Sequence, residues 1–263
     1  MARFDRTIPP GGEGRITLEL KTVEDQGQIV KSANVFSNDP KQPELVIGLK
    51  GKIWAPVLVT PRHARLNGVV GDTVETVVYL QGQKKAPLMV KLASISIPDK
   101  VEVDLTETEK GRSYELHIRN KIQGDASYTG KIKLTTNYPE RSEIQIKIHG
   151  NISPPIEVRP KALNFGGLSP DRLQMLIDKG IVMRRPVSVI LNRGEGLKIS
   201  KAELEKSIFK VISIRQLGDR RVQLQVEAVL EKLKKGLNVD HLTIYTNQTD
   251  EQALEVPVQI QIL

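Results

Sequence analysis

The sequence predicts an all-β protein made of tandem two-sheet sandwiches, the first one incomplete and the last one carrying a short helix. Three observations predict it. Apolar and polar residues alternate with a period of two in segment after segment, as half-buried strands require. Aromatics make up only 4% of the 263 residues, so the cores must be built from Val, Ile and Leu, a strand-favouring set. Finally, the chain repeats itself at a fixed interval, which marks an array of similar units.

Taken in order, IPPGGEG reads as a turn, and GRITLELKT as a strand with Ile16, Leu18 and Leu20 on one face and Arg15, Thr17 and Glu19 on the other. VFSNDPKQPELVIGLKG follows as strand, Asn-led turn and strand. The junction GKIWAPVLVTP then returns as GNISPPIEVRP, 99 residues on (150 − 51 and 160 − 61). LTTNYPERSEIQIKIHG repeats the strand–turn–strand unit, and LTIYTNQTDEQALEVPVQIQIL gives a third copy. Asn38, Asn137 and Asn247 lead the three turns, where an Asn side chain accepts from nearby backbone and tolerates the left-handed conformation. GRSYELHIRN and GDRRVQLQVEAVL match GRITLELKT in position.

The front half of a unit occurs only twice, as VLVTPRHARLNGVVGDTVETVVYL and IEVRPKALNFGGLSPDRLQMLIDKGIVMRRPVSVIL. The expected organisation is therefore the C-terminal half of a sandwich at 1–52, a complete sandwich at 53–152 and a second complete one at 153–263. Proline-bearing junctions imply stiff linkers between the units. In the last unit SPDRLQMLIDKG predicts a helix near 169–180, with Ser169 as N-cap, Pro170 at the first position and Gly180 as stop. KAELEKSIF reads as a further helical turn. Pro257, which lacks a ladder donor, predicts an edge strand or a bulge.

The combination of IPPGGEGRI, FSNDPKQPELVIGLKGKI, the V-x-V-x-P restart, and NFGGLSP with VSVILNRGEGLKIS resembles bacterial domains of unknown function related to the hydin-like (ASH-type) immunoglobulin fold. That resemblance implies tandem immunoglobulin-like sandwiches, a structural or envelope role and no catalytic activity. In that family a short cysteine-containing motif, often behind a signal sequence, commonly precedes the IPPGG-like turn. This sequence has no cysteine, and its first thirty residues hold no signal-like apolar run. The expectation is an incomplete N-terminus, with a periplasmic or envelope location in that case and a cytoplasmic one otherwise.

No P-loop, G-x-S-x-G, HExxH or dinucleotide fingerprint is present, so the sequence argues against an enzyme and calls for no cofactor. Of the four histidines, His117 and His149 fall in the same unit and could be neighbours there, a weak metal signal without clustered carboxylates. Asp99, Glu102 and Asp104 read as outward strand positions. No run reaches the roughly 20 apolar residues of a membrane-spanning helix. The net charge of +8 is spread along the chain, with local clusters at Arg184 and Arg185, at Arg220 and Arg221, and at Lys232, Lys234 and Lys235. If these converge they form a partner-binding patch, and the alternative expectation is a glycan- or nucleic-acid-binding module that uses it. Sparse aromatics argue against nucleic acid. The leading expectation is a non-catalytic spacer or protein-binding scaffold. Its protein partners would add strands at the N-terminal half domain, which is also open to self-association.

Overall fold

The computed structural model describes residues 2–9, 11–20, 22, 25–248 and 253–263. Pro10, in the first predicted turn, and residues 249–252, in the last predicted Asn-led turn, lie outside them.

The middle sandwich runs through β5 (Val57–Thr60), β6 (His63–Val69), β7 (Glu75–Gly82), β8 (Val90–Ile95), β9 (Val101–Glu109), β10 (Ser113–Asn120), β11 (Ala126–Thr136) and β12 (Glu143–Ser153). For the preceding residues the strands are β1 (Ala2–Phe4), β2 (Ile16–Leu18), β3 (Gly27–Phe36) and β4 (Glu44–Ile53). Two four-stranded sheets, ordered β5-β7-β10-β9 and β6-β12-β11-β8, face each other. This is the constant-type immunoglobulin arrangement, with the first strand split so that its second part pairs parallel to the last strand. A cis Thr60–Pro61 peptide lies where the chain passes from one sheet to the other. The period-two alternation does what the sequence predicts. Val78, Leu80, Leu116, Ile118, Ile132, Leu134, Ile146 and their neighbours are buried between the sheets, while the intervening polar residues face water.

The last sandwich repeats this order with β13 (Ile156–Arg159), β14 (Leu163–Leu168), β15 (Met183–Leu191), β16 (Ile199–Leu204), β17 (Phe209–Gln216), β18 (Arg221–Ala228), β19 (Gly236–Thr246) and β20 (Leu254–Ile262). Helix α1 (Pro170–Asp178) is inserted between β14 and β15. Its ends follow the sequence signals. Ser169 Oγ accepts the Arg172 amide, and Gly180, at φ +60°, lets the chain reverse so that the Gly180 and Ile181 amides reach the Ile177 and Leu176 carbonyls.

Two local expectations are corrected. KAELEKSIF is no helix: its first half is the end of β16, where Ala202 and Leu204 pair with Ile244 and Leu242 of β19, and cross-strand burial overrides helix propensity. Strand β20 is not an edge strand, since it lies between β14 and β19. Its proline is tolerated because pairing with β14 begins at Val258, so that Pro257 has only His241 of β19 beside it.

In residues 2–53, β1 pairs with β2 and β3 pairs with β4. The β3–β4 ladder has the same register as β11–β12, with Gly27↔Ile53 matching Ala126↔Ile152 at the 99-residue offset (126 − 27 and 152 − 53). Among the described residues this hairpin is paired with no further strand, where its counterpart β11–β12 is flanked by β8 and β6.

Candidate interaction surfaces

The β3–β4 hairpin presents the surface that its counterpart hides. Leu45 is 47% exposed, whereas Ile144, at the equivalent position in the middle sandwich, is 2% exposed. On the outer face of the hairpin, among polar residues, Val30, Phe36 and Val46 are each mostly exposed. Hydrogen bonds give a second comparison. Asn137 accepts the Met89 amide at 2.8 Å through Oδ1 and donates to the Pro87 carbonyl at 2.9 Å. Asn247 repeats this with the Lys198 amide (2.7 Å) and the Gly196 carbonyl (2.8 Å). The Asn side chain thus ties its turn to the loop between β7 and β8 in the middle sandwich and between β15 and β16 in the last, about 50 residues away. The sequence reading assigned it only a local turn role. Asn38 stands at the same place in the first unit, where residues 2–53 supply no such loop, and among the described residues it has no equivalent partner.

The seven basic residues singled out in the last sandwich divide between the two ends of the β15–β18 ladder. Strands β15 and β18 are antiparallel, with Arg184↔Glu227 at one end and Ile190↔Arg221 at the other. Six residues of strand, roughly 20 Å, therefore separate Arg184 and Arg185 from Arg220 and Arg221. Lys232, Lys234 and Lys235 lie on the connection that leaves β18 after Ala228, at the Arg184 end. Arg184 is also engaged in an ion pair. It lies 2.8 Å from Glu227, which Lys210 approaches at 2.8 Å from the opposite strand. Arg185 lies over the Phe165 ring, Arg220 is 3.7 Å from Glu195, and Arg221 donates to Ser188 Oγ.

The histidines are separated as well. His117 points outward from the β5-β7-β10-β9 sheet, where Glu75 (2.6 Å) and Glu115 (3.2 Å) accept from it and hold its pKa above the usual histidine value. His149 points outward from the other sheet. There it belongs to a cluster that sequence reasoning missed. His63, Arg65, Lys131, Lys147 and His149 line an open trough of about 1110 Å³ on the outer face of β6, β12 and β11. No carboxylate lines it. Its signal in the sequence was the run of basic residues at outward positions of three strands, which only the parallel pairing of β6 with β12 brings side by side. Asp99 and the outward Glu102 and Asp104 lie at edge strand β9, away from the trough. Among the described residues no helix is long and apolar enough to cross a membrane.

No family model matches the chain, and no curated protein matches it. Among solved structures it is similar to a teleost fish polymeric Ig receptor ectodomain, at 10% identity and a TM-score of 0.29, over 76% of this chain and 97% of that one. It is also similar to titin Ig tandem domains, at 12% identity and a TM-score of 0.26, over 79% of this chain and 96% of that one. A third similarity is to the N-terminal eight Ig domains of Down Syndrome Cell Adhesion Molecule, at 12% identity and a TM-score of 0.27, over 96% of this chain and 34% of that one. The chain is an all-β array of tandem immunoglobulin-like sandwiches.

Proposed function

We propose that this chain is a non-catalytic interaction protein whose N-terminal hairpin is one half of a protein–protein junction. The single observation that supports it is the contrast between Leu45 and Ile144: one register and one fold position, with one residue half exposed and the other buried. The occupant that fits is a polypeptide segment carrying front-half strands with the alternation of β5 to β8. In the middle sandwich β8 pairs with β11, with Leu92 opposite Leu134, and a donor strand would lie along β3 in the same way. Asn38 would then gain the loop that Asn137 and Asn247 already hold.

The test is sedimentation and amide exchange of the whole chain, with and without a peptide of the sequence PLMVKLASI (residues 87–95) as a donor surrogate. Concentration-dependent self-association, or peptide-dependent protection of the β3 amides, is expected, and Leu45→Lys with Ile47→Lys should abolish either. A monomer at high concentration whose β3 and β4 amides are already strongly protected, and unchanged by the peptide, would overturn the reading.

A further inference from the structure

The outward face of β6, β12 and β11 departs from the charge pairing that the rest of the middle sandwich follows. On the other sheet, outward cations face acids across the ladder, as Arg119 and His117 do with Glu75. At the end of β11, Lys133 lies 3.3 Å from Glu143. In the trough, by contrast, Lys131 stands directly opposite Lys147, and Lys147 directly opposite His63. On the next rung Thr129 faces His149, which faces Arg65. Like charges directly opposite each other destabilise a sheet. Among the described residues none of the five basic side chains is paired with a carboxylate.

The fold does not require this arrangement. In the last sandwich the equivalent rungs are His241 opposite Pro257, and Val239 opposite Gln259 opposite Asn164, with a single histidine where the middle sandwich has five basic groups. A local rule broken in one copy and kept in its sibling marks a site retained for something other than stability.

We propose that this trough binds an acidic polysaccharide. Three strands side by side give a floor about 10 Å wide, enough for one extended chain. The cations meet its anionic groups, while the amides of Asn67 and Asn151 and the hydroxyl of Thr129, which share the floor, meet sugar hydroxyls. No aromatic side chain lines the trough, so it offers no stacking platform for bases, which disfavours a single-stranded nucleic acid. The site lies within the middle sandwich and is independent of the N-terminal hairpin.

The test titrates the whole chain with a heparin-derived dodecasaccharide, an oligogalacturonate, a neutral dextran oligomer and a twenty-nucleotide oligothymidylate, at 20 and 150 mM salt. One or both acidic oligosaccharides should bind and weaken with salt, dextran should not bind, and the oligonucleotide should bind at least about tenfold more weakly. Lys131→Glu should reduce oligosaccharide affinity about tenfold or more. It should also raise the melting temperature of the middle sandwich by a few degrees, because it turns a repelling cross-strand pair into an attracting one. Arg184→Glu with Arg185→Glu should leave affinity within about twofold. Absence of binding at 20 mM salt, unchanged affinity in Lys131→Glu, or tighter binding of the oligonucleotide would each overturn the proposal.

Discussion

Glu227 is the most consequential single side chain in the last sandwich. It occupies an outward position of β18, yet Arg184 and Lys210 from the flanking strands cover it to 5% exposure. Lys210, and after it Arg184, hold its carboxyl below the ordinary value of 4.5. A carboxylate whose folded pKa is depressed stabilises the native state above its unfolded value, and that contribution disappears as the pH falls through the folded one. Glu227→Gln should therefore cost about 1–3 kcal/mol at pH 7, and the difference from the unmodified protein should shrink toward zero below pH 4 in urea unfolding. Asn137 and Asn38 make a second residue-scale comparison. Asn137→Ala removes two hydrogen bonds to a distant loop and should cost about 1–2 kcal/mol, while Asn38→Ala should stay within about 0.5 kcal/mol. Paired thermal melts of the two variants check this. The asparagines were visible in the sequence because they recur, but their partners were not, since an Asn-led turn looks the same whether its side chain bonds locally or to a loop 50 residues away.

At the scale of elements, what could be read depended on how far each signal reaches along the chain. Helix α1 was legible because its cap, first-turn proline and stop glycine all lie within twelve residues of sequence. Strands were legible from alternation alone. KAELEKSIF misled because its composition favours a helix, and only β19, some 40 residues later, supplies the pairing that makes it a strand. Pro257 misled for a related reason. A missing donor excludes hydrogen bonding on one side of one residue, and β14 meets the strand only from the next residue onward. The two arginine pairs lie apart because of strand direction, which their sequence positions do not reveal. In an antiparallel pair, two clusters at opposite ends of the sequence interval can lie at either the same or opposite ends of the sheet, and here β15 and β18 separate them. The trough shows the converse, since His63 and Lys147 are 84 residues apart (147 − 63) and become neighbours only through a parallel pairing that no local pattern announces.

At the scale of the whole molecule, the fixed 99-residue frame shared by β3–β4 and β11–β12 has a consequence for how the chain folds. Of the strands between them, β6 and β8 pair with the downstream hairpin, and both also meet an upstream template of the same register, which for β6 is the nearer one along the chain. What separates the two is side-chain chemistry rather than backbone. Downstream, the Tyr128 ring packs over Gly150, where a Cβ would come within 2.1 Å of it, and its hydroxyl donates to Asn120. Upstream, Ile29 stands in the tyrosine's place and a Cβ on Gly51 would meet nothing. Mispairing with the upstream hairpin is thus a trap of correct geometry and poorer packing, the hazard that tandem arrays share. Refolding from urea should show a slow phase at native pH. Removing residues 1–53 should abolish that phase, and Tyr128→Leu should enlarge it, because that substitution narrows the difference between the two templates. During synthesis β6 is made before β12, so the upstream hairpin is the first partner of matching register that it can meet, and the tighter packing of the downstream hairpin around Tyr128 is one of the differences that favour the native one.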